Sequence, residues 1–216
     1  MKVNKKCFYS SICSIVAFVA WTALVCLVDV EAIGPNGSTV GLATLNGFVH
    51  SITGCNMLLY TITDWLGLVP IVTAMCFAVL GLVQWIKRKN PLRVDYSILA
   101  LGVFYIIVIT VYMFFEFAVI NYRPVLINGY LEASYPSSTT ILVISVMITA
   151  IMQLRQRIKD RALMRFTEAV IVAFIMFMVI GRILSGVHWI TDIIGGALLS
   201  FGLVGMYGSI CNMHLR

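Results

Sequence analysis

Three ionisable residues near the end of the chain have the types and spacing needed for chemistry on a phosphate group. Arg182, His188 and Asp192 lie in the run Gly181-Arg-Ile-Leu-Ser-Gly-Val-His-Trp-Ile-Thr-Asp192. His188 and Asp192 are four positions apart, which predicts that they share one helix face and form a hydrogen bond. A carboxylate that holds one imidazole nitrogen leaves the other nitrogen free to attack, and Arg182 offers a bidentate fork to a phosphate.

A second group of residues adds phosphate-binding chemistry. Arg123 is followed at a short distance by the run Ser137-Ser138-Thr139, where the pattern predicts that a helix begins. The free amides and the dipole of a helix N-terminus attract anions, and the serine hydroxyls supply further donors. Two arginines, a helix N-terminus and a carboxylate-backed histidine are the groups that phosphoryl transfer through a phosphohistidine requires.

The composition indicates that these residues belong to an integral membrane protein. The chain has 216 residues, of which 61% are hydrophobic and 11% charged, whereas about a quarter of the residues in soluble domains are charged. The net charge of +6 reflects Lys and Arg that flank membrane spans. A nucleic-acid partner is therefore not predicted, and membrane lipids are the expected surroundings.

Long apolar stretches of about 20 residues predict an all-α bundle of six transmembrane helices in one domain, 1–216. The predicted spans lie at 7–28, 66–86, 96–117, 138–154, 166–185 and 190–210. Basic residues cluster at Lys2/Lys5/Lys6, Lys87/Arg88/Lys89/Arg93, Arg155/Arg157/Lys159/Arg161/Arg165 and Arg216. A six-span arrangement places all four clusters on the cytoplasmic side of the cell membrane, together with both termini.

Arg123 and Arg182 stand apart from these clusters, on the opposite, extracytoplasmic side. Positive charge is disfavoured there, so an isolated arginine needs an anionic partner. The sequence therefore predicts that the phosphate site faces away from the cytoplasm.

The outer segment 29–65 contains one further predicted element. Ser38 or Thr39 is expected to cap a short helix that continues to Ile52, with apolar residues at helical spacing. Such an amphipathic helix lies in the plane of the headgroups. Two interpretations remain open, a membrane-anchored connector and a gate for substrate.

These residues resemble the type-2 phosphatidic acid phosphatase superfamily, whose six-helix members carry the motifs K-x6-R-P, P-S-G-H and S-R-x5-H-x3-D. Here the corresponding positions read Glu116-x6-Arg123-Pro124, Pro136-Ser137-Ser138-Thr139 and Gly181-Arg182-x5-His188-x3-Asp192. The resemblance implies the following roles: His188 as nucleophile, Asp192 as its orienting partner, Arg123 and Arg182 as phosphate clamps, and Ser137 with the amides of Ser138 and Thr139 as an oxyanion cradle. It implies no metal and no organic cofactor.

Two positions depart from the family pattern. Glu116 replaces a phosphate-binding lysine, and three interpretations stay open for it: a pair with Arg123, a site for a cationic group on the substrate, or a site for metal-bridged phosphates. Thr139 replaces the histidine that protonates the leaving oxygen in the family. A phosphate leaving group, with a second pKa near 6, departs without such an acid, so the sequence favours a lipid diphosphate over a monoester.

The resemblance implies a membrane phosphatase that acts on a lipid phosphate or diphosphate. Two other functions remain open at this stage. One is a phosphotransferase that passes the phosphoryl group from the same histidine to an acceptor other than water. The other is a non-catalytic binder or transporter of lipid phosphates. The sequence makes no prediction about the oligomeric state.

Overall fold

The computed structural model describes residues 5–214, with side chains for residues 6–211. Lys2 and Arg216, on which the predicted sidedness partly depends, lie outside the described residues. The described chain folds into the helices α1 (Lys5–Leu27), α2 (Ala43–Thr53), α3 (Met57–Leu66), α4 (Leu68–Arg88), α5 (Tyr96–Phe117), α6 (Ser138–Arg155), α7 (Arg161–Ser185) and α8 (Ile190–His214).

The prediction of an all-helical membrane protein is confirmed. Six helical segments of the described chain are long and apolar enough to cross a membrane: Lys6–Leu27, Met57–Arg88, Tyr96–Phe117, Ser138–Arg155, Arg161–Ser185 and Ile190–Cys211. Five of them agree with the predicted spans to within a few residues at most ends. Charged residues in the connectors fix those ends.

The start of the second span was predicted wrongly. Helix begins at Met57 rather than at 66, because the Asn56 side chain caps α3 by accepting a hydrogen bond from the amide of Leu59 at 3.0 Å. The polar Thr63 and Asp64, which led to the later boundary, are tolerated. Thr63 donates its hydroxyl hydrogen to the carbonyl of Leu59 at 2.9 Å. Gly67 then separates α3 from α4.

The predicted amphipathic helix is present as α2, but the predicted cap is wrong. The helix begins at Ala43, and Leu42 before it adopts a left-handed backbone with φ of 48°. The first-turn amide of Thr44 donates instead to the carboxylate of Asp29 at 2.7 Å. A carboxylate brought in from the end of α1 therefore replaces the local hydroxyl cap that the sequence led us to expect.

Helices α6 and α8 form the centre of the bundle. Within their most apolar windows, 61% and 56% of the residues are buried, against 11–22% in the other spans. Glycines near the start of α8 allow this close packing. A β-carbon on Gly196 would lie 3.1 Å from the carbonyl oxygen of Ser137, and one on Gly195 would lie 2.8 Å from the Tyr135 ring.

Helix α3 docks against the end of α7, and this contact needs a glycine. A β-carbon on Gly181 would lie 2.7 Å from the Thr63 side chain. The connection is extended by the amide of Asn56, which donates to the carbonyl of Ser185 at 2.9 Å. Gly181 stands where the family motif has serine, and its missing side chain brings α3 over the end of the bundle that carries the site.

The basic connectors meet at the other end of the bundle. Asp95 lies 2.9 Å from the Arg88 guanidinium and 3.8 Å from that of Arg157. Arg157 also donates to the carbonyl of the fully buried Gln153 at 2.7 Å. These contacts hold together the basic connectors that follow α4 and α6.

Candidate active site

A serine lies between the two central residues of the site. The Oγ of Ser134 is 3.1 Å from Nδ1 of His188 and donates a short hydrogen bond to Oδ2 of Asp192. The direct distance from Nδ1 to Oδ2 is 3.7 Å, too long for the predicted hydrogen bond. His188 also precedes α8, so the two residues do not share a helix face. Ser134 therefore connects the imidazole ring to the carboxylate through its hydroxyl group.

The Asp192 carboxylate is held rigidly and is fully buried. It lies in the first turn of α8, where Oδ2 accepts from the backbone amide of Trp189 at 2.9 Å. This contact reaches back to the residue before the helix, as in a capping box. Asn121 donates to the other oxygen at 3.5 Å, and the amide of Ser137 donates to the Asp192 carbonyl at 3.0 Å.

The imidazole of His188 is prepared to act as a neutral base or nucleophile. Its side chain is 1% exposed, and Nε2 has no hydrogen-bond partner among the described residues. Burial lowers the pKa of His188 from 6.5 to about 4. The positive charges of Arg123 and Arg182 act in the same direction, and the Asp192 carboxylate opposes them. The unprotonated ring is therefore the dominant form at neutral pH.

Arg182 is buried and partly unsatisfied. Its Nη2 donates to Oγ1 of Thr139 at 2.6 Å and to Oδ1 of Asp64 at 3.0 Å. The residue is 1% exposed, whereas the Asp64 side chain is 58% exposed. The Nε and Nη1 atoms have no partner within the described part of the chain. Two donors of the guanidinium thus remain available for an anion.

Arg123 is paired with a carboxylate that the sequence did not single out. Its Nε lies 3.1 Å from Oε2 of Glu132, in ion-pair distance but without hydrogen-bond geometry. The backbone amide of Arg123 donates to the carbonyl of Glu132 at 3.0 Å, which fixes the two residues side by side. The suggested pair between Glu116 and Arg123 is not formed. Nη1 of Arg123 is buried without a partner in the described chain.

One face of α3 covers both arginines. The guanidinium carbons of Arg123 and Arg182 lie 5.8 Å and 5.1 Å from the centre of the Tyr60 ring, within the range of cation–π contacts. Asp64, one helical turn later, binds Arg182. No motif marked Tyr60 or Asp64. The cap at Asn56 was the signal that could have shown the helix carrying them.

Helix α6 begins at the predicted position. The hydroxyl groups at its start, however, have different partners. Ser137 is fully buried and caps the helix, accepting from the amide and the hydroxyl of Thr140 at 3.4 and 3.0 Å. Ser138 lines the cavity beside His188. Thr139 turns its hydroxyl to Arg182. The amides of Ser138 and Thr139 belong to the first turn, where no helical carbonyl is available to them.

The site opens into a polar cavity of about 260 Å³. Its polar lining consists of Tyr112, Glu116, Arg123, Glu132, Ser134, Tyr135, Ser138 and His188. A larger apolar groove of about 670 Å³ runs between α4, α5 and α6. Tyr112, Ser138 and Ile141 line both spaces, so the groove begins where the polar cavity ends. Within residues 6–211, no three His, Cys, Asp or Glu side chains converge closely enough to bind a metal ion.

Fold and site together define a polytopic helical membrane protein with a buried polar centre that contains two arginines, a histidine and an aspartate. The model of the PAP2 superfamily matches residues 114–210, which include every site residue that the sequence analysis named. This match covers somewhat less than half of the chain and supports membership of the PAP2 superfamily.

A solved structure with the same fold is a transmembrane PAP2-type phosphatidylglycerolphosphate phosphatase from Bacillus subtilis. The TM-score is 0.64 at 15% sequence identity, and the match covers 96% of this chain and 98% of the other. No curated protein sequence matches the chain significantly. The family match supports a lipid phosphatase, a hydrolase, and the solved structure supports the fold.

Proposed function

We propose that the protein hydrolyses a lipid phosphate or diphosphate through a phosphohistidine formed on Nε2 of His188. One observation carries this proposal. Nε2 of His188, Nη1 of Arg123, and Nε and Nη1 of Arg182 are all buried without a partner in the described chain. Unpaired buried donors and acceptors are costly. A phosphate beside the histidine would satisfy both guanidinium groups.

In the first step, Nε2 of His188 forms a bond to phosphorus while the bond to the leaving oxygen breaks and takes its electron pair. The ring keeps its proton on Nδ1 and donates a hydrogen bond to Oγ of Ser134, which in turn donates a hydrogen bond to Asp192. The charge that develops on the ring is thereby stabilised by the buried carboxylate. Arg123, Arg182 and the first-turn amides of α6 stabilise the phosphoryl oxygens.

In the second step, water attacks the phosphohistidine. The new oxygen–phosphorus bond forms as the bond to Nε2 breaks, and the electron pair returns to the ring. Inorganic phosphate leaves with one proton of the water, and the other proton passes to solvent or phosphate. His188 is then neutral again.

Thr139 shapes the choice of substrate in this proposal. Its hydroxyl is engaged by Arg182 at 2.6 Å, and it cannot replace an imidazole as a proton donor because its pKa is far too high. A lipid diphosphate releases a lipid monophosphate as a stable anionic leaving group, which needs no such donor. An alkoxide leaving from a monoester loses the roughly 10²–10⁴-fold benefit of a general acid. We therefore expect diphosphates to react faster than monoesters of the same lipid.

The apolar groove between α4, α5 and α6 supports a lipid as the substrate. It begins at Ser138 and Thr139, beside the phosphate site, and continues past Ala78 and Val146 into the membrane-spanning part. A hydrocarbon chain lying there stays in apolar surroundings while its phosphate reaches His188. The proposed location is the cell membrane, with cytoplasmic termini and the site on the extracytoplasmic side.

The test is phosphate release by the purified protein from a polyprenyl diphosphate, phosphatidate and phosphatidylglycerophosphate, without added acceptor. His188→Ala should abolish release, while His50→Ala, which removes a half-buried histidine outside the cavity, should not. Acid-labile, base-stable label on the wild-type protein but not on His188→Ala would identify the phosphohistidine. Labelling without phosphate release would favour a phosphotransferase, and binding without either would favour a non-catalytic binder.

A further inference from the structure

Two carboxylates line the cavity in which the phosphate is proposed to react. We propose that Glu116 and Glu132 form a subsite for a positively charged group close to the phosphate, and that the preferred substrate is a lipid phosphate bearing an ammonium group. This inference rests on the proposed use of the His188 cavity for a lipid phosphate. It adds the chemistry of the rest of the headgroup.

The two carboxylates come from different elements and meet at one place. Glu116 belongs to the last turn of α5, and Glu132 to the segment between α5 and α6. Both line the cavity of about 260 Å³ that contains His188. Both also lie within electrostatic range of the Tyr112 phenol, as does Arg123. His188 and both carboxylates therefore line one cavity, which a single headgroup can occupy.

The charges of the cavity are unfavourable for a ligand that is only an anion. Two carboxylates stand against one guanidinium, that of Arg123, so the lining carries one net negative charge while His188 is neutral. Arg182 does not line this cavity, and its guanidinium forms an ion pair with Asp64 at 3.0 Å. A phosphate dianion adds further negative charge. A positive group on the same ligand removes the repulsion.

The carboxylates are free to bind such a group. Glu116 is exposed and forms no ion pair within the described part of the chain. Glu132 is 41% exposed and contacts Arg123 through a single oxygen, Oε2. An ammonium group has three N–H donors, and the two carboxylates with the Tyr112 hydroxyl supply three acceptors in the cavity lining.

An ammonium group fits these residues better than a metal ion. Within residues 6–211, no three His, Cys, Asp or Glu side chains are close enough to share a metal. Glu116 and Glu132 are on separate, partly exposed segments, and such carboxylates accept a compact cation by charge and hydrogen bonds without fixed coordination geometry. Glu116 stands where the family motif has lysine, so this side of the cavity attracts a positively charged group of the ligand rather than a negatively charged one.

The experiment compares two non-hydrolysable ligands that differ in one charge. Both are long-chain alkyl phosphonates with a nitrogen near the phosphonate, as a free amine in one and acetylated in the other. Their dissociation constants are measured by calorimetry on the full chain in detergent with EDTA, then repeated with Mg²⁺. The proteins are wild type, Glu116→Gln, Glu132→Gln, the double variant, and Glu31→Gln, which removes a carboxylate outside the cavity.

We expect wild type and Glu31→Gln to bind the amine about tenfold more tightly than the acetylated ligand, as two partly exposed ion pairs allow. Each single variant should lose part of this ratio, and the double variant should bring it close to one. Both ligands carry the same phosphonate, so any general effect of Glu132→Gln on Arg123 changes both dissociation constants alike and leaves their ratio unchanged. An equal loss for both ligands, an unchanged ratio, or a preference that depends on Mg²⁺ would overturn the proposal.

The same pair of headgroups, prepared as hydrolysable phosphates, separates this inference from the proposed activity. Selective binding of the amine without phosphate release from either ester would contradict the proposed hydrolase activity but would still support the ammonium subsite. Phosphate release from both esters at equal efficiency, with equal binding, would keep the hydrolase and remove the subsite.

Discussion

The hydroxyl oxygen of Ser134 lies 3.1 Å from Nδ1 of His188, closer to the ring than the Asp192 carboxylate at 3.7 Å. Ser134 thus connects the histidine to its acid, and the predicted Asp–His pair is a chain of three residues. A second hydrogen-bonding partner fixes the tautomer of an imidazole. The hydroxyl therefore decides which nitrogen faces the cavity.

Replacing Ser134 by alanine should reduce kcat by roughly 10- to 100-fold, the usual cost of losing a group that orients a reactive imidazole. KM should change little, because Ser134 holds the ring rather than the phosphate. Ser145→Ala is the matched control, since it removes an equally buried hydroxyl in the middle of α6. An unchanged kcat in Ser134→Ala would show that Asp192 orients the ring without the serine.

The lowered pKa of His188 predicts activity at acidic pH. With a pKa of about 4, the ring stays neutral and nucleophilic well below pH 6.5. The neutral form, and the activity that depends on it, is lost only as the pH falls through about 4. Single-turnover formation of the phosphohistidine between pH 3.5 and 8 measures this. A decline centred near pH 6.5 would contradict the effect of burial, once the ionisation of the substrate has been subtracted.

The same pKa makes a prediction for stability. The unfolded state binds a proton at His188 near pH 6.5 and the folded state only near pH 4, so the free energy of unfolding falls as the pH drops across this range. The loss is about 1.4 kcal/mol per pH unit. The Tm of the wild type in detergent should decrease accordingly below pH 6.5. His188→Asn should lack this component, and His50→Asn should retain it.

Asp64 competes with the phosphate for Arg182. Its side chain is 58% exposed, so the ion pair contributes at most about 1 kcal/mol and is easily displaced. Asp64→Asn should lower KM about two- to fivefold with little change in kcat, because Thr139 still holds the guanidinium. Inhibition constants for vanadate give an independent measure. A raised KM would mean that the carboxylate positions Arg182 instead.

Thr139→His should restore monoester hydrolysis more than diphosphate hydrolysis, by about tenfold or more in the ratio of kcat/KM, because only an alkoxide leaving group gains from a proton donor. Thr139→Ser, which keeps the hydroxyl bound to Arg182, is the control and should leave the ratio unchanged. Equal use of monoesters and diphosphates by the wild type would remove the leaving-group explanation.

Cysteine labelling tests the proposed sidedness. In a background without native cysteines, Tyr130→Cys, at a residue 75% exposed beside the site, should react with an impermeant thiol reagent added to intact cells. Gln156→Cys, exposed in the basic connector between α6 and α7, should react only after the cells are opened. The reverse pattern would place the site in the cytoplasm.

The parts of the fold that depend on composition were predictable. Apolar runs and basic clusters define six spans without any tertiary information, and the spacing of His188 and Asp192 marks the reactive centre. Helix α3 escaped prediction because Thr63 and Asp64 break the apolar pattern. Their polarity is satisfied by a backbone carbonyl and by Arg182, and neither partner is visible in the local sequence.

The site residues that the sequence analysis missed were missed for one common reason. Ser134, Glu132 and Tyr60 reach the centre through the path of a loop and the docking of a helix. Glu132 pairs with Arg123 because their backbones are hydrogen bonded across the segment 118–137. Side-chain types along the chain do not reveal such a pairing, since serine, glutamate and tyrosine are ordinary residues in exposed segments.

The helical segment Met57–Arg88, which comprises α3, Gly67 and α4, has 32 residues. At 1.5 Å per residue it is about 48 Å long, whereas the hydrocarbon layer is about 30 Å thick. Helix α4 alone suffices to cross that layer, so α3 with Tyr60 and Asp64 stands at the depth of the headgroups. A lipid can therefore present its phosphate to the arginines with its tail still in the bilayer. Extraction would cost about 0.8 kcal/mol for each methylene brought into water, and a lipid bound in this way would avoid that cost.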